Sequence, residues 1–210
     1  MSTPDLAIEQ ELAGKRVGLL LAAGRGTRFD PTGRASKLLA DLRGLPVAVH
    51  AARALRRAGL PVLAVVRPGA CELAQRLAQE GCEVTHCPLA DRGMGESLAH
   101  GARMAAQHGA AALVVALADM PFLDPAIIER VARRVGPADP VVAAGYAGQR
   151  GHPVAFDRSM FGALSGLGGD RGAGQLFAHW PPLVLETEDP AVLRDIDRPA
   201  DLGDQRDADA

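Results

Sequence analysis

The stretch VGLLLAAGRGTRFDPTGRASKLL occupies residues 17–39. Its first six residues form an unbroken apolar run, which is typical of a strand buried on both faces, as in a parallel sheet. A loop with three glycines and three arginines follows, and Lys37 precedes the apolar pair Leu38–Leu39. Glycines let backbone N–H groups approach an anion, and Arg and Lys add charge-assisted hydrogen bonds. The loop therefore predicts a phosphate-binding site beyond the end of the first strand.

The rest of the chain continues the alternation of strand and helix. Further apolar runs, at residues 62–66 and 112–118, predict buried strands, and three shorter strands are predicted at 141–146, 152–156 and 181–186. Helical spacing is found at 46–59, 71–81, 95–109 and 124–136, and in the last segment Asp124 is the expected N-cap. This pattern predicts an α/β fold, a single Rossmann-like domain with a doubly wound, mostly parallel sheet flanked by helices.

The composition narrows the class of protein. With 210 residues the chain suits one domain, which we expect to span 15–202, after an N-terminal extension (1–14) and before a disordered tail (203–210). A formal net charge of −2 favours neither nucleic acid nor an anionic membrane as a partner. The opening residues lack the pattern of a secretory signal. The number of cysteines is odd, three, which predicts reduced thiols in the cytoplasm.

Three interpretations of the basic loop compete with nucleoside triphosphate binding. A dinucleotide fingerprint needs a third glycine where Phe29 stands, and a P-loop needs a terminal Gly-Lys-Ser/Thr that is missing here. A solvated connector would explain the glycines but not the clustered basic residues. A loop that wraps a triphosphate without a P-loop explains both features.

The loop and five later motifs together resemble one enzyme family. LLLAAGRGTRF with SKLLADLRGLPV is followed in order by GMGESL (93–98), LADMPFL (117–123), GHPVAF (151–156), GDRGA (169–173) and DIDRPADL (195–202). This set resembles the molybdopterin guanylyl- and cytidylyltransferases, and most of all the molybdenum cofactor cytidylyltransferases. The resemblance implies a nucleotide-diphospho-sugar-transferase-like fold with a nucleotide-binding half (15–136) and an acceptor-binding half (137–202).

The resemblance also implies a reaction. Such an enzyme transfers CMP from CTP to the phosphate of molybdopterin, with or without molybdenum, and releases pyrophosphate. It uses Mg²⁺, or Mn²⁺ in its place, and has an apo-molybdoenzyme of the xanthine oxidase/dehydrogenase type as a further partner. Positioning and electrostatics carry phosphoryl transfer, which agrees with the lack of a convincing Ser/His/Asp or Cys/His set.

Site residues follow from matching the motifs position by position. The implied catalytic residues are Lys37, Arg28 and Asp119. The implied nucleotide-binding residues are Leu21, Ala22, Ala23, Gly24, Arg25, Gly26, Lys37, Gly93, Gly95, Ser97 and Asp119. The implied metal ligands are Asp119 and Asp197, and the implied acceptor-binding residues are His152, Asp170 and Arg171.

The aspartates also follow from position. Asp119 comes directly after a buried strand, where burial of an unpaired carboxylate is unfavourable. Its position therefore indicates a functional role. Asp195 and Asp197 alternate on an extended segment and therefore point the same way, so either is a candidate second metal ligand. At several positions a structural role is the alternative to the functional one. The alternative is helix capping for Asp197 and for the segment GMGESL, and stabilisation of a turn for His152.

Several functional alternatives stay open at this stage. Ala23 narrows the space near the base, which favours CTP over GTP, although one methyl group discriminates weakly. A guanylyltransferase, a sugar-phosphate nucleotidyltransferase and a non-catalytic carrier of the molybdenum cofactor are the competing functions. The basic loop is longer at residues 29–36 than in the family pattern, and Arg34 is a substitute candidate for one phosphate contact.

Overall fold

The computed structural model describes residues 12–32 and 35–203. Arg34 therefore lies outside the described residues, as do most of the predicted N-terminal extension and of the predicted tail. Leu12, at the described end of the extension, is buried. In the described ranges, no helix is both long and apolar enough to cross a bilayer.

A seven-stranded sheet forms the middle layer, in the order β5-β4-β1-β6-β8-β7-β9. Its strands are β1 (Arg16–Ala22), β4 (Val62–Val66), β5 (Glu83–His86), β6 (Ala112–Leu117), β7 (Val141–Tyr146), β8 (Gln149–Asp157) and β9 (Leu183–Thr187), and β2 (Asp41–Leu42) and β3 (Leu45–Pro46) form a separate small hairpin. Neighbouring strands run parallel except around β8, which is antiparallel to β6 and β7. The predicted class, a mostly parallel sheet flanked by helices, is confirmed.

Within the described residues, five α-helices lie between these strands. They are α1 (Val47–Arg57), α2 (Cys71–Gln79), α3 (Met94–Gln107), α4 (Pro125–Arg134) and α5 (Phe161–Ser165). The start of α4 is capped as expected, because the Asp124 carboxylate accepts a hydrogen bond from the Ala126 N–H. The first four helices coincide with the predicted segments. Helix α5 and a 3-10 turn (Gly172–Leu176) lie between the predicted strands at 152–156 and 181–186, where no helix was predicted.

Two apolar clusters cover the two faces of the sheet. Alternate residues of β1 belong to different clusters: Leu20 packs in one, and Leu19 and Leu21 pack in the other. Helix α3 crosses this second face at Gly101, where an added Cβ would lie 2.5 Å from a Leu19 methyl carbon. Glycine is unfavourable inside a helix, but at position 101 it allows the helix to pack this closely on β1.

The cysteines are unpaired in the described part of the chain. Cys71 is exposed at the start of α2, whereas Cys82 and Cys87 are buried. Burial raises the pKa of the Cys82 thiol to about 11. This arrangement agrees with the predicted reduced thiols.

The order of the strands fixes where a ligand can bind. From β1 the chain moves outward to β4 and β5, and then returns to β6 on the other side of β1. From β6 the chain continues to β7, on the side away from β1. The connections that leave the carboxyl ends of β1 and β6 therefore run in opposite directions, which opens a crevice at that edge of the sheet. The basic loop follows β1, and Asp119 follows β6.

Candidate active site

A cavity of about 270 Å³ lies at this crevice. Sequence-predicted residues in its lining are Leu21, Ala23, Gly24, Arg25, Lys37, Gly93, Ser97, Asp119 and Asp170. Residues not anticipated from the sequence complete it: Leu38, Ala90, Asp91, Met94 and Leu117. The first loop, the start of α3 and the end of β6 therefore converge on one site.

Three carboxylates form a cluster beside this cavity. One oxygen each of Asp119, Asp195 and Asp197 lies within 4.8 Å of the others. Ile196, between the last two, is fully buried, and its N–H donates to the backbone oxygen of Asp119 at 2.8 Å. Burying Ile196 turns Asp195 and Asp197 the other way, and the backbone hydrogen bond ties this segment to the end of β6.

Two cations face the carboxylate cluster. Lys37, only 8% exposed, donates from Nζ to Asp119 Oδ2 at 2.6 Å and to Asp197 Oδ1 at 3.2 Å. Arg28 pairs with the second oxygen of Asp197. Gly26, with a φ of +63°, lies against the Lys37 stem, where an added Cβ would be 3.2 Å from Cγ. A left-handed glycine in the basic loop therefore makes room for the lysine to reach the aspartates.

Two residues of this cluster, Lys37 and Asp195, have shifted pKa values. Burial lowers the pKa of Lys37, but the hydrogen bonds and charges of Asp119 and Asp197 outweigh it and raise the pKa above its usual value. Burial, followed by the charges of Asp197 and Asp119, raises the pKa of Asp195. With three anions and two cations the cluster keeps a surplus negative charge.

The donor set fits a hard divalent cation. All three candidate ligands offer carboxylate oxygens, which Mg²⁺ and Mn²⁺ prefer. Asp119 Oδ1 is buried and has no hydrogen-bond partner among the described residues. A buried carboxylate oxygen without a partner is unfavourable, and coordination of a cation would satisfy it.

The motifs GMGESL and GDRGA pack directly on each other. The Gly95 N–H donates to the backbone oxygen of Gly169 at 2.8 Å, so it is already engaged. At Gly93 an added Cβ would lie 2.4 Å from Asp170 Oδ1. This close approach brings Asp170, which the sequence assigned to the acceptor side, into the lining of the first cavity. Ser97, one turn into α3, is buried in the same lining.

An ion pair that the sequence did not predict spans part of the cavity lining. Arg25 Nε donates to Asp91 Oδ1 at 2.8 Å, and the hydrogen bond to Arg25 lowers the pKa of Asp91. Asp91 lies in a 3-10 turn (Ala90–Arg92) before α3. No motif marks Asp91, and only the position of its turn beside the first loop reveals it.

A second cavity, of about 240 Å³, adjoins the first. Both are lined by Leu21, Met94 and Leu117, so they share a wall. The predicted acceptor residues His152 and Arg171 line the second cavity. His152 Nδ1 lies 3.4 Å from the backbone oxygen of Val115, and burial lowers the pKa of its imidazole.

Some predicted residues line neither of these two cavities. Asp197 belongs to the carboxylate cluster and Arg28 pairs with it, while Gly26 and Gly95 allow close packing. Ala22 lines a third cavity, of about 230 Å³, which contains Arg67 and the exposed Cys71.

Comparisons with known proteins agree on the kind of domain. The model of the MobA-like NTP transferase domain matches residues 18–184. The purine catabolism protein PucB of Bacillus subtilis (strain 168) is 34% identical over 120 residues, which cover 54% of this chain and 56% of that protein. The aligned part thus spans little more than half of the length of this relative.

Solved structures share the architecture over most of their length. Rv0371c from Mycobacterium tuberculosis H37Rv is 28% identical, with a TM-score of 0.74 over 89% of this chain and 95% of that chain. The manganese complex of the same protein gives a TM-score of 0.70 with the same coverage. A nucleotidyl transferase from Methanothermobacter (Mth528) is 22% identical, with a TM-score of 0.76 over 89% and 94% of the two chains, and supports the fold.

Proposed function

We propose that this chain, which belongs to the MobA-like NTP transferase domain family and is a nucleotidyltransferase, transfers CMP from CTP to the phosphate of molybdopterin, with or without molybdenum. The observation that carries this proposal is the position of Lys37 and three carboxylates at the edge between β1 and β6, next to two cavities that share a wall. Two adjoining cavities suit a reaction that joins two substrates.

Asp119 and Asp197 are the proposed ligands of Mg²⁺ or Mn²⁺, with Asp195 close enough to contribute. When bound there, such a cation supplies charge neutralisation of the triphosphate and of the leaving pyrophosphate. The buried, unpartnered Asp119 Oδ1 supports this assignment. The manganese complex of the 28% identical Rv0371c supports a divalent cation as the ligand.

The chain's own residues need only position groups and stabilise charge. The acceptor phosphate attacks the α-phosphorus, the bond to the bridging oxygen of the β-phosphate breaks, and pyrophosphate leaves with the electron pair. A phosphate monoester is already anionic near neutral pH, so no general base is required. Lys37, released from the aspartates, neutralises charge on the phosphates, and Arg25 and Arg28 neutralise the outer oxygens.

Recognition of the base is proposed to depend on Ala23. Ala23 lies in the lining of the first cavity, together with the buried Ser97. The Ala-Ala-Gly sequence at residues 22–24 narrows this part of the cavity relative to a glycine at position 23, which favours the smaller pyrimidine base.

Acceptor binding is proposed for the second cavity, through His152 and Arg171. Asp170, which lines the first cavity, would then contact the junction of the two substrates. The name of the Bacillus relative, a purine catabolism protein, supports an apo-molybdoenzyme of the xanthine oxidase/dehydrogenase type as the recipient of the product.

The test is release of pyrophosphate from CTP, GTP and ATP with molybdopterin as acceptor, followed by mass spectrometry of the product. We expect turnover with CTP and a product heavier than molybdopterin by one cytidylyl group. Turnover with GTP but not CTP would support guanylyl transfer, and a product formed only from a sugar phosphate would reject the pterin acceptor.

Turnover by the wild type, and its loss in Asp119→Ala, would distinguish an enzyme from a carrier of the cofactor. We expect this variant to lose turnover, because it removes a carboxylate from the proposed metal site. A wild-type protein that binds the finished cytosine dinucleotide but forms none, with or without Mg²⁺, would be a carrier instead.

A further inference from the structure

One wall of the second cavity is a stack of one cation and two rings. Alternate residues of β8 face this cavity, among them Arg150, His152 and Phe156. The guanidinium carbon of Arg150 lies 4.2 Å from the centre of the Phe177 ring. Phe177 in turn stacks on Phe156, with ring centres 6.4 Å apart and planes 9° from parallel. Phe156 is buried in the core, so the stack gives Arg150 a fixed support.

The charge of Arg150 has no carboxylate partner within residues 12–32 and 35–203. By contrast, Arg25 pairs with Asp91 and Arg28 pairs with Asp197. A guanidinium held over the face of a ring keeps N–H donors that can bind oxygen atoms of a ligand.

We infer that Arg150, held on Phe177, is a specificity-determining residue that binds the oxygen-bearing edge of a flat heterocyclic acceptor in the second cavity. Apolar side chains in the lining, including Met94 and Leu117, suit the face of such a ring, and the guanidinium fork suits its carbonyl or carboxylate oxygens. This inference deepens the proposed function and rests on it for the identity of the heterocycle, a pterin.

The binding test uses pterin-6-carboxylate, a fluorescent pterin that requires no turnover. Its Kd is measured by fluorescence titration for the wild type, Arg150→Ala, Arg150→Lys and the control Arg158→Ala. A lost charge-assisted hydrogen bond predicts at least about a tenfold weaker Kd for Arg150→Ala. Lysine keeps the charge but not the planar fork, so Arg150→Lys should fall between the wild type and Arg150→Ala. Arg158, in a 3-10 turn away from both cavities, should leave the Kd unchanged.

The support of Arg150 is tested by Phe177→Leu, which removes the aromatic ring but keeps an apolar side chain. We expect it to weaken pterin binding in the same direction as Arg150→Ala. Unfolding midpoints of all variants by circular dichroism identify any variant whose loss comes from misfolding. Wild-type protein that does not bind the pterin, or a folded Arg150→Ala variant that binds it as tightly as the wild type, would overturn the inference.

A kinetic measurement distinguishes this inference from the proposed function. With CTP and molybdopterin, Arg150→Ala should raise the KM for the acceptor and leave the KM for CTP unchanged. If the wild type transfers CMP but Arg150→Ala has an unaltered acceptor KM, the inference fails while the proposed function stands. If no CMP is transferred but pterin binding still depends on Arg150, the proposed function fails while the inference stands.

Discussion

Lys37→Met and Asp119→Asn should both abolish turnover but change stability in different ways. Lys37, Arg28 and the three aspartates carry three negative and two positive charges, which leaves one surplus negative charge. Lys37→Met doubles this surplus, whereas Asp119→Asn removes it. The lysine therefore stabilises the folded protein, whereas the Asp119 carboxylate contributes repulsion as well as an ion pair.

The size of the effect follows from the contacts. Removing one partner of a fully buried ion pair costs roughly 3–5 kcal/mol, but the Asp119 and Asp197 side chains are 19% and 24% exposed, so water screens part of it. We expect Lys37→Met to lower the free energy of unfolding by about 2 kcal/mol. Asp119→Asn should change it by less than about 1 kcal/mol, because Lys37 keeps its 3.2 Å contact with Asp197 and the repulsion between the carboxylates falls.

Urea unfolding in the presence of a chelator measures both values, and Lys15→Met, at the exposed other lysine of the chain, is the matched control. The pKa of Lys37 is raised in the folded state, so its stabilising contribution is complete below its unfolded pKa of about 10.4 and is lost as pH rises through the folded value. The difference between the wild type and Lys37→Met should thus be constant from pH 7 to 9. Equal destabilisation by Lys37→Met and Asp119→Asn would refute the charge argument.

Three further predictions concern the cavity, the motif contact and the thiols. Ala23→Gly should lower the selectivity for CTP over GTP, measured as the ratio of kcat/KM values, by about tenfold, because one methyl group discriminates modestly; an unchanged ratio would remove Ala23 from base recognition. Gly95→Ala should lower the unfolding midpoint although alanine favours helices, since its Cβ would lie 2.7 Å from a backbone oxygen of the neighbouring loop, whereas Gly174→Ala, with open space, should not; equal midpoints would contradict this. A thiol reagent at pH 8 should modify Cys71 rapidly and Cys82, whose pKa is about 11, only after unfolding; rapid reaction at both would contradict the burial of Cys82.

Much of the fold could be predicted from the sequence because its central strands have strong signals. The runs at β1, β4 and β6 are apolar throughout, since these strands are buried on both faces of the sheet. Strand β5 was missed because its sequence, Glu83–His86, is mostly polar and lies at the edge of the sheet. A short edge strand needs little apolar surface, so neither a continuous run nor clear alternation identifies it.

The candidate site could be predicted where the position of a residue on a strand or extended segment determines the direction of its side chain. Asp119 at the end of β6 and the alternation of Asp195 and Asp197 are of this kind. Contacts between loops are different, since they depend on packing of distant segments. The pair Arg25–Asp91 and the stack of Arg150 on Phe177 join residues 66 and 27 positions apart, and no local pattern encodes either contact.

Binding of Mn²⁺, measured by electron paramagnetic resonance with and without CTP, tests whether these aspartates form a metal site. Wild-type protein with CTP should bind the ion at least tenfold more tightly than Asp119→Asn/Asp197→Asn with CTP, because the variant lacks both proposed carboxylate ligands. Equal Mn²⁺ affinity of the two proteins in the presence of CTP would contradict a metal site formed by these aspartates.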